Sequence, residues 1–461
     1  MEAQGEQPTM SRQLSNRHVQ MIALGGAIGT GLFLGAGKSI HFAGPAIILG
    51  YLITGIICFW MMRAMGEMLL LNTDAHSFVD LIDKYWGRRP AFVIGWAYWA
   101  SWATIAMAEL TAIGVYIKLW LPGLPQWVPG LITILILLCI NLITVKAFGE
   151  VEFWFALIKI LAIIALVVIG VVMMILHYHT NAGYVTPVNL VRYGGFFATG
   201  WKGFMTALPM VVFAFAGVEM IGMTASETQN PEKVLSKAIN TLPVRILLFY
   251  ICSLAVIMSI YPWHLLNANS SPFVMAFKDI GISAGADIIN FVVITAAASS
   301  CNSALYTTGR MLAELTATSG NAKIRKISNI SSHGVPMRAI ILSALLITCS
   351  TAMNYFIPGQ VFTLISGVAT TSFLFIWGAI VITHLHFRKH FGKNKNFPMP
   401  WSPYSDYIIL VFFAIVAVTM FLQKSTTVSL IVDLLWMGLL LLLSRNHAQE
   451  HHSKQFLFGK K

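Results

Sequence analysis

The chain has 461 residues, of which 57% are hydrophobic and only 10% charged, against roughly a quarter charged in a soluble domain. This composition excludes an ordinary soluble enzyme or binding module and describes a chain solvated mostly by lipid. The net charge of +12 does not argue for nucleic acid, because the basic residues fall in short loops between apolar runs, where they act as an orientation signal.

The first eighteen residues are polar and mixed in charge, so no removable signal peptide is expected. The next stretch, Gly25-Gly26-Ala27-Ile28-Gly29-Thr30-Gly31-Leu32-Phe33-Leu34-Gly35, puts five glycines into what should be the first membrane-spanning helix. Each glycine weakens a helix by roughly 1 kcal/mol relative to alanine, which predicts an unwound point between Ile28 and Leu32. Unwound backbone inside a membrane must face protein or a cavity, since unpaired N–H and C=O groups are costly in hydrocarbon. Free N–H groups at a half-helix start suit a carboxylate, and free C=O groups at a half-helix end suit an ammonium. Together they describe the backbone of an amino acid. The alternative is that Gly25/Gly29 and Gly31/Gly35 are two G-x-x-x-G packing faces.

Stretches of about 20 apolar residues predict twelve spans, near residues 19–38, 43–68, 91–121, 127–145, 151–176, 203–224, 240–261, 286–314, 337–356, 361–384, 404–422 and 428–444. The turn dividing spans nine and ten is Asn354 to Gln360, with Pro358 and Gly359. An even number of spans puts both termini on one side. With the N-terminus inside, 24 of the 30 Lys and Arg residues lie at inner loops or inner span ends, so both ends are expected in the cytoplasm. Ser77 to Tyr85 and Pro231 to Ala238 read as short amphipathic segments on the inner surface. Cys58, Cys139, Cys252, Cys301 and Cys349 have no paired spacing and read as small core residues, so neither a disulfide framework nor a metal site is expected.

Span six carries a second predicted break, Phe213-Ala214-Phe215-Ala216-Gly217-Val218-Glu219-Met220-Ile221-Gly222, with glycines, small residues and a carboxylate at mid-membrane depth. Spans one and six are equivalent if spans one to five and six to ten are two halves, and matching interruptions in two halves point to a midplane site. Halves of five spans start on opposite sides, so their topology is inverted.

Four segments carry a family resemblance: Gly26-Ala27-Ile28-Gly29-Thr30-Gly31-Leu32-Phe33, Arg63-Ala64-Met65-Gly66-Glu67-Met68, Glu152-Phe153-Trp154-Phe155-Ala156-Leu157-Ile158-Lys159 and Gly217-Val218-Glu219-Met220-Ile221-Gly222. In this order they resemble bacterial amino acid permeases of the amino acid–polyamine–organocation superfamily, in the branch of proline-type and threonine/serine-type permeases. The resemblance runs from Leu14 to Arg445, and Asn302-Ser303, Tyr306 and Gly309-Arg310-Met311-Leu312 fit it; the loop Asn321 to Ser328 departs from it in lacking an Ala-Pro pair. It implies an all-α polytopic membrane protein with a leucine-transporter-like five-plus-five inverted repeat and broken helices one and six. The expected organisation is an N-terminal tail (1–18), a first repeat (19–176), a second repeat (203–384), two appended spans (404–444) and a C-terminal tail (445–461).

Charged residues inside the spans are candidate functional groups. Lys159 lies seven residues after Glu152, about 10 Å along the helix, and either snorkels to the inner interface or sits dehydrated beside the first break and titrates during transport. By resemblance it matches the span-five lysine that, in similar proton-driven transporters, takes the place of sodium. Ser299, Ser300 and Ser303 lie where sodium-coupled relatives coordinate the ion, but a lysine there would supply the charge, which disfavours sodium. Glu219 either carries a proton or anchors unwound backbone, and Glu109 is either a functional carboxylate or a protonated interhelical link. Arg63 with Glu67, and Arg310 with Glu314, are spaced as ordinary i, i+4 pairs. His384, His386, His447, His451 and His452 read as surface histidines.

These residues predict a secondary active transporter without covalent chemistry, cofactor or metal. An amino acid zwitterion would meet N–H groups of Gly29, Thr30 and Gly31 through its carboxylate, and carbonyls near Ala27, Ile28, Phe213 and Ala214 through its ammonium. Phe213 is placed by similarity as an aromatic lid, and Ala214, Ala216 and Gly217 flank a small pocket suited to Thr, Ser, Ala or Pro. Protons are the expected coupling ion, through Lys159, Glu219 or Glu109, in a bacterial plasma membrane, with a homodimer left open. The alternatives are an exchanger, a permease for aromatic or cationic amino acids, and a membrane amino acid sensor.

Overall fold

The computed structural model describes the backbone of residues 28–72, 75, 77–143, 145–222, 231–267, 271–279, 283–317, 319–331 and 334–458. Nearly all of it is helix. In chain order the principal helices are α1 (Thr30–Phe33), α2 (Gly35–Ala43), α3 (Ile47–Leu69), α4 (Phe78–Tyr85), α5 (Arg88–Ile117), α6 (Trp127–Ile143), α7 (Val145–Ile175), α8 (Gly200–Ala214), α9 (Pro231–Ile260), α10 (Pro272–Asp279), α11 (Ser283–Ala317), α12 (Met337–Phe356), α13 (Val361–Phe391), α14 (Tyr404–Thr419) and α15 (Lys424–Phe458). Among the described residues, ten helical stretches are long and apolar enough to cross a membrane, and the apolar Trp127–Ile143 is shorter.

Burial sorts these helices into a centre and a rim. The most apolar window of the 200–222 stretch is 83% buried within the protein, and those of 285–317 and 361–391 are 78% buried. The corresponding windows of 148–175 and 424–445 are only 28% buried. Leu161, Ile164, Val168, Val172 and Ile175 on α7 are exposed, which in a protein of this composition is a face wetted by lipid tails. A helix apolar all round needs no polar face when its second solvent is hydrocarbon.

The connections follow local rules. Gly44 takes φ +59, a left-handed angle that suits glycine, and with Pro45 turns α2 into α3 through a short 3-10 segment. Ile357 to Gln360 separates α12 from α13, within the predicted turn. Phe78, Leu81 and Ile82 form the buried face of α4, as the amphipathic reading of Ser77 to Tyr85 required. Pro231 to Ala238 differs from its reading: these residues are the first turns of the continuous α9, with Leu235 and Ala238 buried and Lys233 and Lys237 exposed. Among the cysteines, Cys58 and Cys301 are buried, but Cys139, Cys252 and Cys349 are exposed on helix faces rather than in the core.

Candidate functional site

Both glycine-rich segments depart from regular helix, but the first more narrowly than expected: of Ile28 to Leu32 only Ile28 and Gly29 are non-helical, because Thr30–Phe33 already forms a helical turn. Gly29 is extended (φ −127, ψ −152) and α1 starts only at Thr30, while Leu34 interrupts the path from α1 to α2. In the second segment α8 ends at Ala214, Gly217 takes φ +103, and Val218–Gly222 continues as a 3-10 turn. The interruptions pack directly on each other. A Cβ added to Gly31 would sit 2.6 Å from Ala214 Cα, so the missing side chain is what lets the two backbones meet. The Tyr250 hydroxyl donates to Ala214 O at 2.7 Å, satisfying a carbonyl that the end of α8 leaves free.

A small cavity opens where the breaks meet, lined by Gly29, Gly31, Phe213, Ala214 and Ala216, with Ile105, Glu109 and Ser300 completing the wall. Its volume of about 10 Å³ holds roughly one water. Its chief polar occupant is Glu109 from α5. The Thr30 N–H donates to both Glu109 oxygens, at 3.2 Å and 3.3 Å. The N-terminus of a helical turn attracts negative charge, and here the protein supplies that charge itself.

On the other side of the first break, Lys159 from α7 is fully buried and donates its ammonium to Ile28 O at 2.9 Å. It does not snorkel to an interface. Glu109 and Glu152 both lie within its electrostatic reach, and Ser299 from α11 donates to Glu152 at 2.6 Å. Glu219, by contrast, does not line the cavity. Its carboxylate accepts from Gly217 N at 3.1 Å, from Trp377 Nε1 at 3.2 Å and from the Tyr98 hydroxyl at 3.2 Å, which pins the second break to α13 and α5.

Of the residues singled out from the sequence, Gly29, Gly31, Phe213, Ala214, Ala216 and Glu109 therefore share one cavity. Thr30 touches it through its backbone, and Ile28 is held by Lys159. Gly217 lies behind the wall, at the turn Glu219 caps. Ala27 lies outside the described residues. Ser300, singled out from the sequence only as a position where sodium-coupled relatives hold the ion, lines this cavity instead, and Ile105 was missed because nothing but proximity marks an isoleucine on a long apolar helix.

A second polar cluster sits well away from the breaks and corrects the reading of His384. That residue is fully buried, with Nδ1 2.7 Å from Asp406 and Nε2 3.1 Å from Glu67. Glu67 also receives Arg388 at 2.8 Å and the backbone N–H groups of Asn394 (2.9 Å) and Met399 (2.6 Å). The expected Arg63–Glu67 pair does not form, and Arg63 turns to Asn240 Oδ1 at 2.9 Å. The spacing rule fails because partners from α13 and the following loop satisfy Glu67 completely. His386 is half-buried and stacks on Trp86, whereas the side chains of His447, His451 and His452 lie outside the described residues. A cavity of about 570 Å³ opens beside this cluster among Arg388, Lys389, His390 and Lys393, and shares no residue with the breaks.

A family model described as Amino acid permease matches residues 18–455. The chain belongs to the amino acid permease family. It is 50% identical over 451 residues to the amino-acid permease AapA of Bacillus subtilis, covering 97% of this chain and 97% of that one. It is 42% identical over 434 residues to a D-serine/D-alanine/glycine transporter of Escherichia coli, covering 93% and 92% of the two chains. It is also 40% identical over 443 residues to the aromatic amino acid transport protein AroP of Salmonella typhimurium, covering 95% and 96%. The permease is thus a multi-pass membrane protein of an amino acid transport family whose members differ in substrate.

Proposed function

We propose that this permease is a secondary active importer of a small neutral amino acid, driven by proton symport through alternating access. One observation carries the reading: the two interrupted helices meet at a cavity where Glu109 occupies the Thr30 N–H that would receive a substrate carboxylate. The resident carboxylate reports what the seat prefers. An arriving zwitterion replaces Glu109 at Thr30 with its own carboxylate, and the displaced Glu109 pairs with its ammonium, so the site stays neutral overall. Ala214 and Ala216 limit the space for its side chain, which favours a small substrate such as the D-serine, D-alanine and glycine of one relative's name over the aromatic ones of another.

In this reading the protein spans a bacterial plasma membrane with both termini in the cytoplasm, as the distribution of Lys and Arg supports. Spans one to five and six to ten form inverted repeats, with 404–444 appended. Lys159 provides the titratable cation at the first break, and its contact with Ile28 supports a role next to the substrate seat. Uptake into proteoliposomes of a labelled small amino acid, competed by each of the twenty in turn and driven separately by proton and sodium gradients, tests the reading. Competition by large or charged amino acids alone, or drive by sodium alone, contradicts it.

A further inference from the structure

Lys159 lies on a continuous stripe. On α7, Phe148, Glu152 and Lys159 recur at spacings of four and seven residues, and on the facing α11, Ser299, Asn302, Ser303, Tyr306 and Arg310 do the same. Spacings of three, four and seven put residues on one helix face, so each helix turns a polar stripe toward the other. The stripes meet at Ser299 and Glu152, 2.6 Å apart. One step farther from Lys159, the side chains of Asn302 and Ser303 lie against the Glu152 carboxylate. Asn302 Nδ2, Ser303 Oγ and Glu152 Oε2 are all buried, and none makes a hydrogen bond of full geometry among the described residues. Asn141 from α6 donates to Asn302 Oδ1 at 2.8 Å, and its own Oδ1 is likewise buried without a partner. Native interiors keep polar atoms paired, so this cluster of buried amide, hydroxyl and carboxylate groups is a polar path between two otherwise apolar helices, with Asn141 Oδ1 at its far end unpaired. Beyond it lies a cavity of about 10 Å³ bounded by Asn141, Phe148, Tyr306 and Arg310. The Phe148 and Tyr306 rings stack on each other at its edge with centroids 4.0 Å apart, and Arg310 caps Tyr306 at 4.4 Å.

We infer that Glu152 is the inner proton acceptor of the transport cycle. It takes the proton that Lys159 releases and passes it between α7 and α11 to the cytoplasmic water, with Asn302 and Asn141 lining the way and the Phe148–Tyr306 stack closing it. The inference rests on the proton-symport reading above. The step balances: the Lys159 ammonium loses one proton and becomes the neutral amine, the Glu152 carboxylate gains it and becomes the acid, and Glu152 then loses it to inner water. The side chain of Lys159 suits this transfer, because side chains on a helix lean toward its N-terminus and so toward Glu152. In the low dielectric between the helices, a carboxylate beside the amine also lowers the cost of moving charge.

The test uses the full-length protein in proteoliposomes with a pH-sensitive dye in the lumen, following substrate-dependent lumen acidification and exchange of labelled for unlabelled substrate. A wild type that shows no acidification sinks the symport reading itself, before Glu152 is at issue. With a coupled wild type, Glu152→Gln should lose acidification and concentrative uptake while exchange continues, and Glu152→Asp should restore acidification with a shifted pH profile. Asn302→Leu, which leaves every titrating group in place, should slow acidification and uptake together. Acidification by Glu152→Gln at the wild-type rate overturns the assignment. If Glu152→Gln loses exchange as well, Glu152→Asp decides, because failure of the shorter carboxylate to restore acidification also overturns it. Stimulation of wild-type uptake by sodium, abolished in Glu152→Gln, would make the same spot a cation site and overturn the proton role.

Discussion

Gly31 and Ala214 bring the two interrupted helices into backbone contact: a methyl group on Gly31 would stand 2.6 Å from Ala214 Cα, closer than real Cβ atoms approach anything. The proposed substrate seat is therefore made of two backbones held at a distance only glycine permits. Its chemistry comes from main-chain groups, and the side chains around it either limit its size or compete for it.

Gly31→Ala should consequently weaken substrate binding strongly while leaving insertion and overall helix content intact. Overpacking at a close contact costs about 1–3 kcal/mol, which at this position must be met by separating α1 from α8. Isothermal titration of the purified variant with the best competitor from the amino acid panel checks it, and wild-type affinity would contradict the backbone-contact account.

Ala216→Ile should exclude the larger accepted amino acids before the smallest, since Ala216 lines the cavity and added bulk reduces the room for a side chain rather than for the zwitterion. Competition profiles of the variant and wild type decide this. A uniform loss across substrates would assign Ala216 to folding or gating.

Glu219→Gln should lower thermal stability without changing the number of protons moved per substrate. The carboxylate accepts from three buried donors, and an amide presents its own N–H groups to some of them, at a cost of about 1–3 kcal/mol for each donor left unpaired. Melting of the purified protein together with the proton-to-substrate ratio in proteoliposomes checks both halves. A changed ratio at unchanged stability would make Glu219 a proton carrier.

The cluster around Glu67 should behave as a structural lock. Removing the charge in Glu67→Gln leaves Arg388 and His384 partly uncompensated, and breaking a buried pair typically costs about 3–5 kcal/mol. The variant should melt at a clearly lower temperature yet bind substrate as the wild type does, since the cluster shares no residue with the cavity at the breaks. Reduced affinity at unchanged stability would tie the lock to the site instead.

Much of the site was legible in the sequence because glycine is informative where helices are expected. Gly29, Gly31 and Gly217 announce broken backbone inside apolar runs, and Lys159 and Glu109 stand out because a charge there must have a partner. What the sequence could not reveal is who those partners are. Glu109 reads as an isolated carboxylate until its contact with Thr30, seventy-nine positions away, is seen. His384 reads as one of several histidines near a basic loop, and only the packing of α13 against Glu67 and Asp406 buries it. The spacing of Arg63 and Glu67 misleads for the same reason: i, i+4 pairing holds on an exposed helix face, and this face is covered.

The central claim is that a proton taken up beside the substrate seat drives accumulation through Lys159. It is tested most directly by loading proteoliposomes under an inside-alkaline pH gradient and, separately, under a sodium gradient, with wild type and Lys159→Ala side by side. The account predicts that wild type concentrates the amino acid under the pH gradient alone, and that Lys159→Ala loses concentration yet still exchanges bound for free substrate. Accumulation by wild type under sodium alone, or by Lys159→Ala under the pH gradient, would contradict it.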